Sequence, residues 1–143
     1  MKRIIQSSEE FKKLKGQLIG KSPYLPLQRT HVSHFSQGTN TTEKGEEIPD
    51  FLLVSLTPYL WGQTVDIRNV RMIVNYGLAQ VRFLNKSRIG EHIRLVTFLY
   101  NIQQKKAITQ VEISFCIENK ERNIKCIEGK AIFLYYFNEK QCL

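Results

Sequence analysis

Polar and apolar residues alternate most regularly near residue 111. Val111, Ile113, Phe115 and Ile117 interleave with Glu112, Ser114 and Glu118. A period of two predicts a strand with one buried face. Glu118-Asn119-Lys120-Glu121-Arg122-Asn123 is turn chemistry, and Ile124 to Phe137 reads as the returning strand. Gly129 marks a bulge or a tight backbone approach within it. His92 to Ile102 predicts another long strand, closed onto the next by Gln104-Lys105-Lys106. Strand patterning begins at Thr64. Strands of about ten to twelve residues span roughly 35–40 Å, long enough to curl round a central object.

The only segment apolar enough to be that object is Asp50 to Trp61. Phe51, Leu52, Leu53, Val54, Leu56, Leu60 and Trp61 cover nearly every side of a helix, which predicts burial. Pro49-Asp50 suits its start, whereas Pro58 predicts a kink or an end. Ser7 and Glu10 form a capping box for a short helix carrying Phe11, Leu14 and Leu18, stopped near Gly16 or Gly20. Pro23 and Pro26 mark an extended stretch. Thr30 is a fair N-cap for a second short helix through Phe35, before a Gly38–Gly45 loop. The expected architecture is α+β, a long antiparallel sheet curled on one central helix at about 50–61.

Composition narrows the class. At 143 residues one domain, 1–143, is expected. No apolar run approaches the roughly 20 residues of a membrane span. The start Met1-Lys2-Arg3-Ile4-Ile5 lacks the core of a secretory signal, so a cytoplasmic location is expected. Cys116, Cys126 and Cys142 form no CxxC pair, which argues against a disulfide framework or a zinc site. With 21 Lys+Arg against 13 Asp+Glu the net charge is +8, suited to an anionic partner. The basic residues are scattered and carry no nucleic-acid-binding signature, so nucleic acid is the disfavoured partner.

Three segments carry a family resemblance. Asn75-Tyr76-Gly77-Leu78-Ala79-Gln80-Val81-Arg82-Phe83, followed by Arg88-Ile89-Gly90-Glu91-His92-Ile93-Arg94, resembles the signature block of MaoC/NodN-like acyl dehydratases. Phe51-Leu52-Leu53-Val54-Ser55-Leu56-Thr57-Pro58 is similar to that family's central helix. The N-terminal lead-in, 1–28, follows it too, with Gly16-Gln17-x-x-Gly20 and Tyr24-Leu25. The resemblance implies a hotdog fold and a homodimer, or a heterodimer with another hotdog subunit. It implies an acyl-CoA or acyl-carrier thioester as ligand, with (R)-specific hydration of a 2-enoyl chain or its reverse. No cofactor is implied. Such hydration takes a carboxylate and an imidazole that activate water and deliver a proton, with the thioester oxygen polarised at the helix start.

Here the chain departs from the family. Thr41 stands at the position of the family's catalytic Asp, and no residue matches its catalytic His. Segment 39–49 reads as a shortened active-site loop, and Pro49-Asp50 replaces the usual His-Gly. The expectation is an acyl-thioester scaffold whose hydratase catalysis is in question. One alternative is an acyl-CoA thioesterase using Asp50, which otherwise reads as a helix cap. Another is a basic nucleic-acid-binding module. By resemblance Phe51, Leu52, Ser55, Tyr76, Gly77 and Arg82 are the candidate substrate-binding residues. Ser55 reads equally as a helix hydroxyl bonded to an earlier carbonyl, Tyr76 as sheet packing and Arg82 as one half of an ion pair. His31, His34 and His92 read as surface or packing histidines, and Glu46 and Glu47 as solvated loop acids.

Overall fold

The computed structural model describes residues 2–138. Cys142 lies outside them.

Four strands and two short companions form one antiparallel sheet. Its order is β2 (Leu18–Lys21), β6 (His92–Lys105), β7 (Ile108–Asn119), β8 (Ile124–Phe137) and β5 (Val70–Phe83), with β3 (Leu25–Pro26) also on β6. A separate parallel pair joins β1 (Arg3–Ile5) to β4 (Val65–Ile67). This is the hotdog arrangement that the family resemblance implied; the alternation predicted the buried face of β7, where Val111, Ile113, Phe115 and Ile117 all face the core. Gly129 is a tight approach rather than a bulge. A Cβ there would lie 2.3 Å from the Gln80 carbonyl oxygen, so only glycine lets β5 close onto β8.

The central helical run is longer than expected and is jointed. α3 (Asp50–Ser55) ends at Leu56, which also caps α4 (Thr57–Thr64). Pro58 makes the kink, yet it begins the second segment instead of ending the helix. In the first turn of α4 its missing N–H costs no intrahelical bond. Leu52, Leu53, Leu60 and Trp61 bury against the sheet. Trp61 stacks on Phe133 with ring centroids 5.7 Å apart and donates its indole N–H to the Tyr135 hydroxyl at 2.8 Å. Burial holds the Tyr135 phenol far above the usual tyrosine range, and the Trp61 hydrogen bond opposes this only in part.

Two helix boundaries also differ from expectation. α1 (Ser8–Lys12) stops before Gly16, because Gly16 donates to the Leu99 carbonyl at 2.7 Å and the chain is drawn onto the β6 edge. The Ser7 box is half reciprocal: Ser7 Oγ accepts from Glu10 N–H, but the Glu10 carboxylate accepts from Gln6 N–H. α2 spans Arg29–Thr39, capped by Gln28 rather than Thr30, with His31 Nδ1 accepting from the Gln28 N–H at 3.0 Å. Asn40, in the left-handed region at φ 54°, ends it. Among the described residues no helix is long and apolar enough to cross a membrane.

Candidate functional site

The end of α2 is held by hydroxyls. Thr39 Oγ1 donates to the Phe35 carbonyl at 2.7 Å and lies 2.9 Å from Thr41 Oγ1. The loop then turns through Gly45 (φ 60°) and is stitched to the segment that follows β5. Ile89 N–H donates to the Glu46 carbonyl at 2.8 Å, and Ile48 N–H to the Ser87 carbonyl at 2.9 Å. Ile48 is fully buried, so this seam is fixed. It brings Lys86 over the start of α3.

Lys86 Nζ donates to Asp50 Oδ2 at 2.9 Å and lies 3.5 Å from Glu47 Oε1. The hydrogen bond to Asp50 is the main reason the Lys86 ammonium titrates above the usual lysine value. Attraction to Asp50 and Glu47 adds to it, and partial desolvation opposes it. Asp50 is therefore not a cap: Pro49 holds that position, and the Asp50 carboxylate turns to Lys86 instead of the helix amides. Glu46 is committed elsewhere, paired with Arg29, which also meets Glu43 at 3.8 Å.

A cleft of about 490 Å³ opens here. Thr39, Thr41, Lys44, Glu47, Asp50 and Lys86 are its polar wall, and Phe35, Ile48, Pro49 and Phe51 its apolar wall. Thr41, Asp50 and Phe51 thus line one cleft. No imidazole lines the cleft. His31 caps α2, His34 is exposed, and His92 pairs with Glu121 at 2.5 Å.

The remaining candidates divide between two other places. Ser55 and Gly77 border a second cavity of about 370 Å³, at the α3–α4 joint and under β5. Ser55 Oγ also donates to the Leu52 carbonyl, three residues back, at 2.7 Å. Leu52 is a core residue. Tyr76 is 64% exposed on the β5 edge rather than packed in the sheet. Arg82 lines neither cavity and pairs with Glu128 of β8 at 3.2 Å, not with a helix carboxylate. Sequence reasoning missed Lys86, because its partners are 36 and 39 residues away in the chain and no local pattern links them. Among the described residues no group of three or more His, Cys, Asp or Glu could hold a metal ion.

Comparison with known proteins places this geometry. No family model matches the chain. The 3-hydroxyacyl-thioester dehydratase Z of Mycobacterium tuberculosis is 22% identical over 144 aligned positions, covering 90% of each chain. Among solved structures, a monoamine oxidase regulatory protein from Archaeoglobus fulgidus superposes with a TM-score of 0.76 at 15% identity, covering 97% of this chain and 99% of its own. A MaoC-like dehydratase from Rhodospirillum rubrum gives a TM-score of 0.66 at 12% identity, covering 85% and 92%. The chain resembles MaoC-like dehydratases along nearly its whole length, and it has their hotdog fold.

Proposed function

We propose that this chain binds acyl thioesters, on coenzyme A or an acyl carrier, at the cleft where the central helix begins, and does not hydrate them at ordinary rates. The observation that carries this reading is the composition of the cleft. Where the resemblance calls for an acid and an imidazole, the wall presents the Thr41 hydroxyl and an Asp50 carboxylate neutralised by Lys86. A threonine hydroxyl cannot take a proton from water near pH 7. The Asp50 carboxylate is already engaged by the Lys86 ammonium at 2.9 Å. Addition of water across an enoyl bond takes both a base at the water and an acid at the α-carbon, and this wall offers no such matched pair.

The apolar wall and the second cavity under β5 favour a ligand with a thioester head and an acyl tail. The same strand favours a dimer. β5 is bonded to β8 along one side only, and it exposes Met72, Ile73, Tyr76 and Leu78, while Phe51 of the helical run meets Phe83 at the end of this strand. An apolar edge of this length is normally paired or covered, and a second copy or another hotdog subunit would cover it.

Titration calorimetry with octanoyl-CoA tests the binding half, and loss of the enoyl absorbance of crotonyl-CoA tests the catalytic half. Saturable binding without turnover is expected. Hydration at ordinary hydratase rates overturns the loss of catalysis. Release of free thiol from acyl-CoA that disappears in Asp50→Asn would instead establish a thioesterase.

A further inference from the structure

The outer face of the sheet carries a groove of about 250 Å³ that shares no residue with the two cavities above. Strand register builds it. On β7, Ser114 lies between Phe98 of β6 and Lys130 of β8, and Cys116 between Val96 and Glu128. Ile113, Phe115 and Ile117 face the core, so Ser114 and Cys116 point outward. Both are small, whereas Phe98 and Lys130 are long. β7 is therefore the floor, and β6 and β8 are walls about 10 Å apart, two strand spacings. Burial holds the Cys116 thiol above its ordinary range and Glu118 adds to this, so the thiol is a protonated floor and not a nucleophile.

The two walls differ in chemistry. On one side Phe98 leaves 44% of its surface exposed. On the other stand Arg82, Lys125 and Lys130, with Glu128 as the one acid among the described lining residues. Arg82 is paired with that Glu128 at 3.2 Å, and nearby Glu118 is paired with Arg94 at 3.0 Å. Lys130 Nζ lies 3.7 Å from the Tyr100 ring centroid, a contact that holds its charge in place without neutralising it. Among the described residues, neither Lys125 nor Lys130 has a carboxylate within ion-pair distance. The groove keeps a net charge of +2.

An exposed ring across a narrow floor from two unneutralised ammoniums suits a ligand that is flat at one end and dianionic at the other. A phosphate monoester carries about −1.5 to −2 at pH 7, which matches the groove, whereas a single carboxylate brings about half of that. A nucleobase stacks on an aromatic side chain whatever its sequence identity. We propose that this outer groove binds a nucleoside monophosphate, with its base on Phe98 and its phosphate between Lys125 and Lys130. The site does not depend on the acyl-thioester reading and stands or falls separately from it.

Calorimetric titration of the full chain with AMP and with ribose 5-phosphate at low salt tests it. AMP is expected to bind about tenfold more tightly, the value of one stacked base. Phe98→Leu, which keeps an apolar side chain and removes the flat face, abolishes that advantage. Lys125→Gln and Lys130→Gln each weaken AMP about fivefold, while Lys105→Gln, on the same sheet but outside the groove, leaves it unchanged. Ser114→Phe fills the groove from its floor and removes binding with Tm maintained. No saturable AMP binding up to about 10 mM overturns the site, and an equal loss in Lys105→Gln reduces it to net charge. Equal affinities for AMP and ribose 5-phosphate overturn the role of Phe98. AMP binding that vanishes in saturating octanoyl-CoA gives the groove to the nucleotide end of coenzyme A and overturns a separate site. Oligoadenylate that binds more tightly than AMP, with a steeper salt dependence, overturns the mononucleotide in favour of a single strand.

Discussion

Replacing Gly129 by alanine tests how tightly the edge strand is held. The added Cβ would sit 2.3 Å from the Gln80 carbonyl oxygen and 3.2 Å from Val81 Cα, both backbone atoms of β5. Ordinary contact begins near 3.4 Å, so β5 has to retreat by about 1 Å or tilt away. Neighbouring strands lie about 4.8 Å apart, and a retreat of that size disrupts the hydrogen bonds on either side of the Val81–Gly129 pair. Two weakened ladder bonds at about 1 kcal/mol each, with about 1–3 kcal/mol of overpacking, give a loss of roughly 3–5 kcal/mol. For a chain near 150 residues this lowers Tm by roughly 6–20 °C. Gly62→Ala is the matched control. It lies on the exposed side of α4 with nothing within 4 Å of its Cβ, and alanine there should stabilise by about 0.5–1 kcal/mol. Calorimetric melts of the two variants should therefore move in opposite directions. A Gly129→Ala protein melting within about 2 °C of the parent would refute the close approach and the reasoning built on it.

Three further outcomes follow from the same contacts. Trp61→Phe keeps the stack on Phe133 but strands the Tyr135 hydroxyl, 1% exposed, without a donor; a loss of about 1–3 kcal/mol in urea unfolding is expected. Lys86→Met removes an exposed pair whose net value is at most about 1 kcal/mol. Because the folded Lys86 pKa lies above 10.5, that stabilisation is fully present below pH 10.5 and is lost as pH rises beyond it. The Tm difference between parent and variant should therefore shrink in alkaline buffer; a difference that widens with pH would contradict the Lys86–Asp50 contact. Ile73→Lys places a charge on the β5 edge, and light scattering after size exclusion should show a smaller species with an unchanged circular dichroism spectrum. The same mass for both proteins would count against association through this edge.

Much of the scaffold could be read directly from residue order. The alternation of Val111 to Ile117, the turn at 118–123 and the return from Ile124 to Phe137 depend on local periodicity, which side-chain geometry turns into a strand without outside help. The apolar run after Pro49 marked the central helix, but its burial was only partly legible: Leu52, Leu53, Leu60 and Trp61 are buried, whereas Phe51 is exposed, against expectation. The family block from Asn75 to Arg94 pointed to the hotdog arrangement that the fold has.

Tertiary structure decided which candidate residues meet. Register shifts in β5 between Asn75 and Gly77, and again between Leu78 and Gln80, each change which side of the sheet the following residues face. A period of two could not place Tyr76, Gly77 and Arg82, and the fold separates Gly77 from Arg82. Lys86 meets Asp50 only because the seam from Ile48 to Ser87 fixes two distant segments side by side. Local propensity determined the elements of this protein. Long-range hydrogen bonding and strand register, which depend on residues far apart in the chain, determined its candidate site.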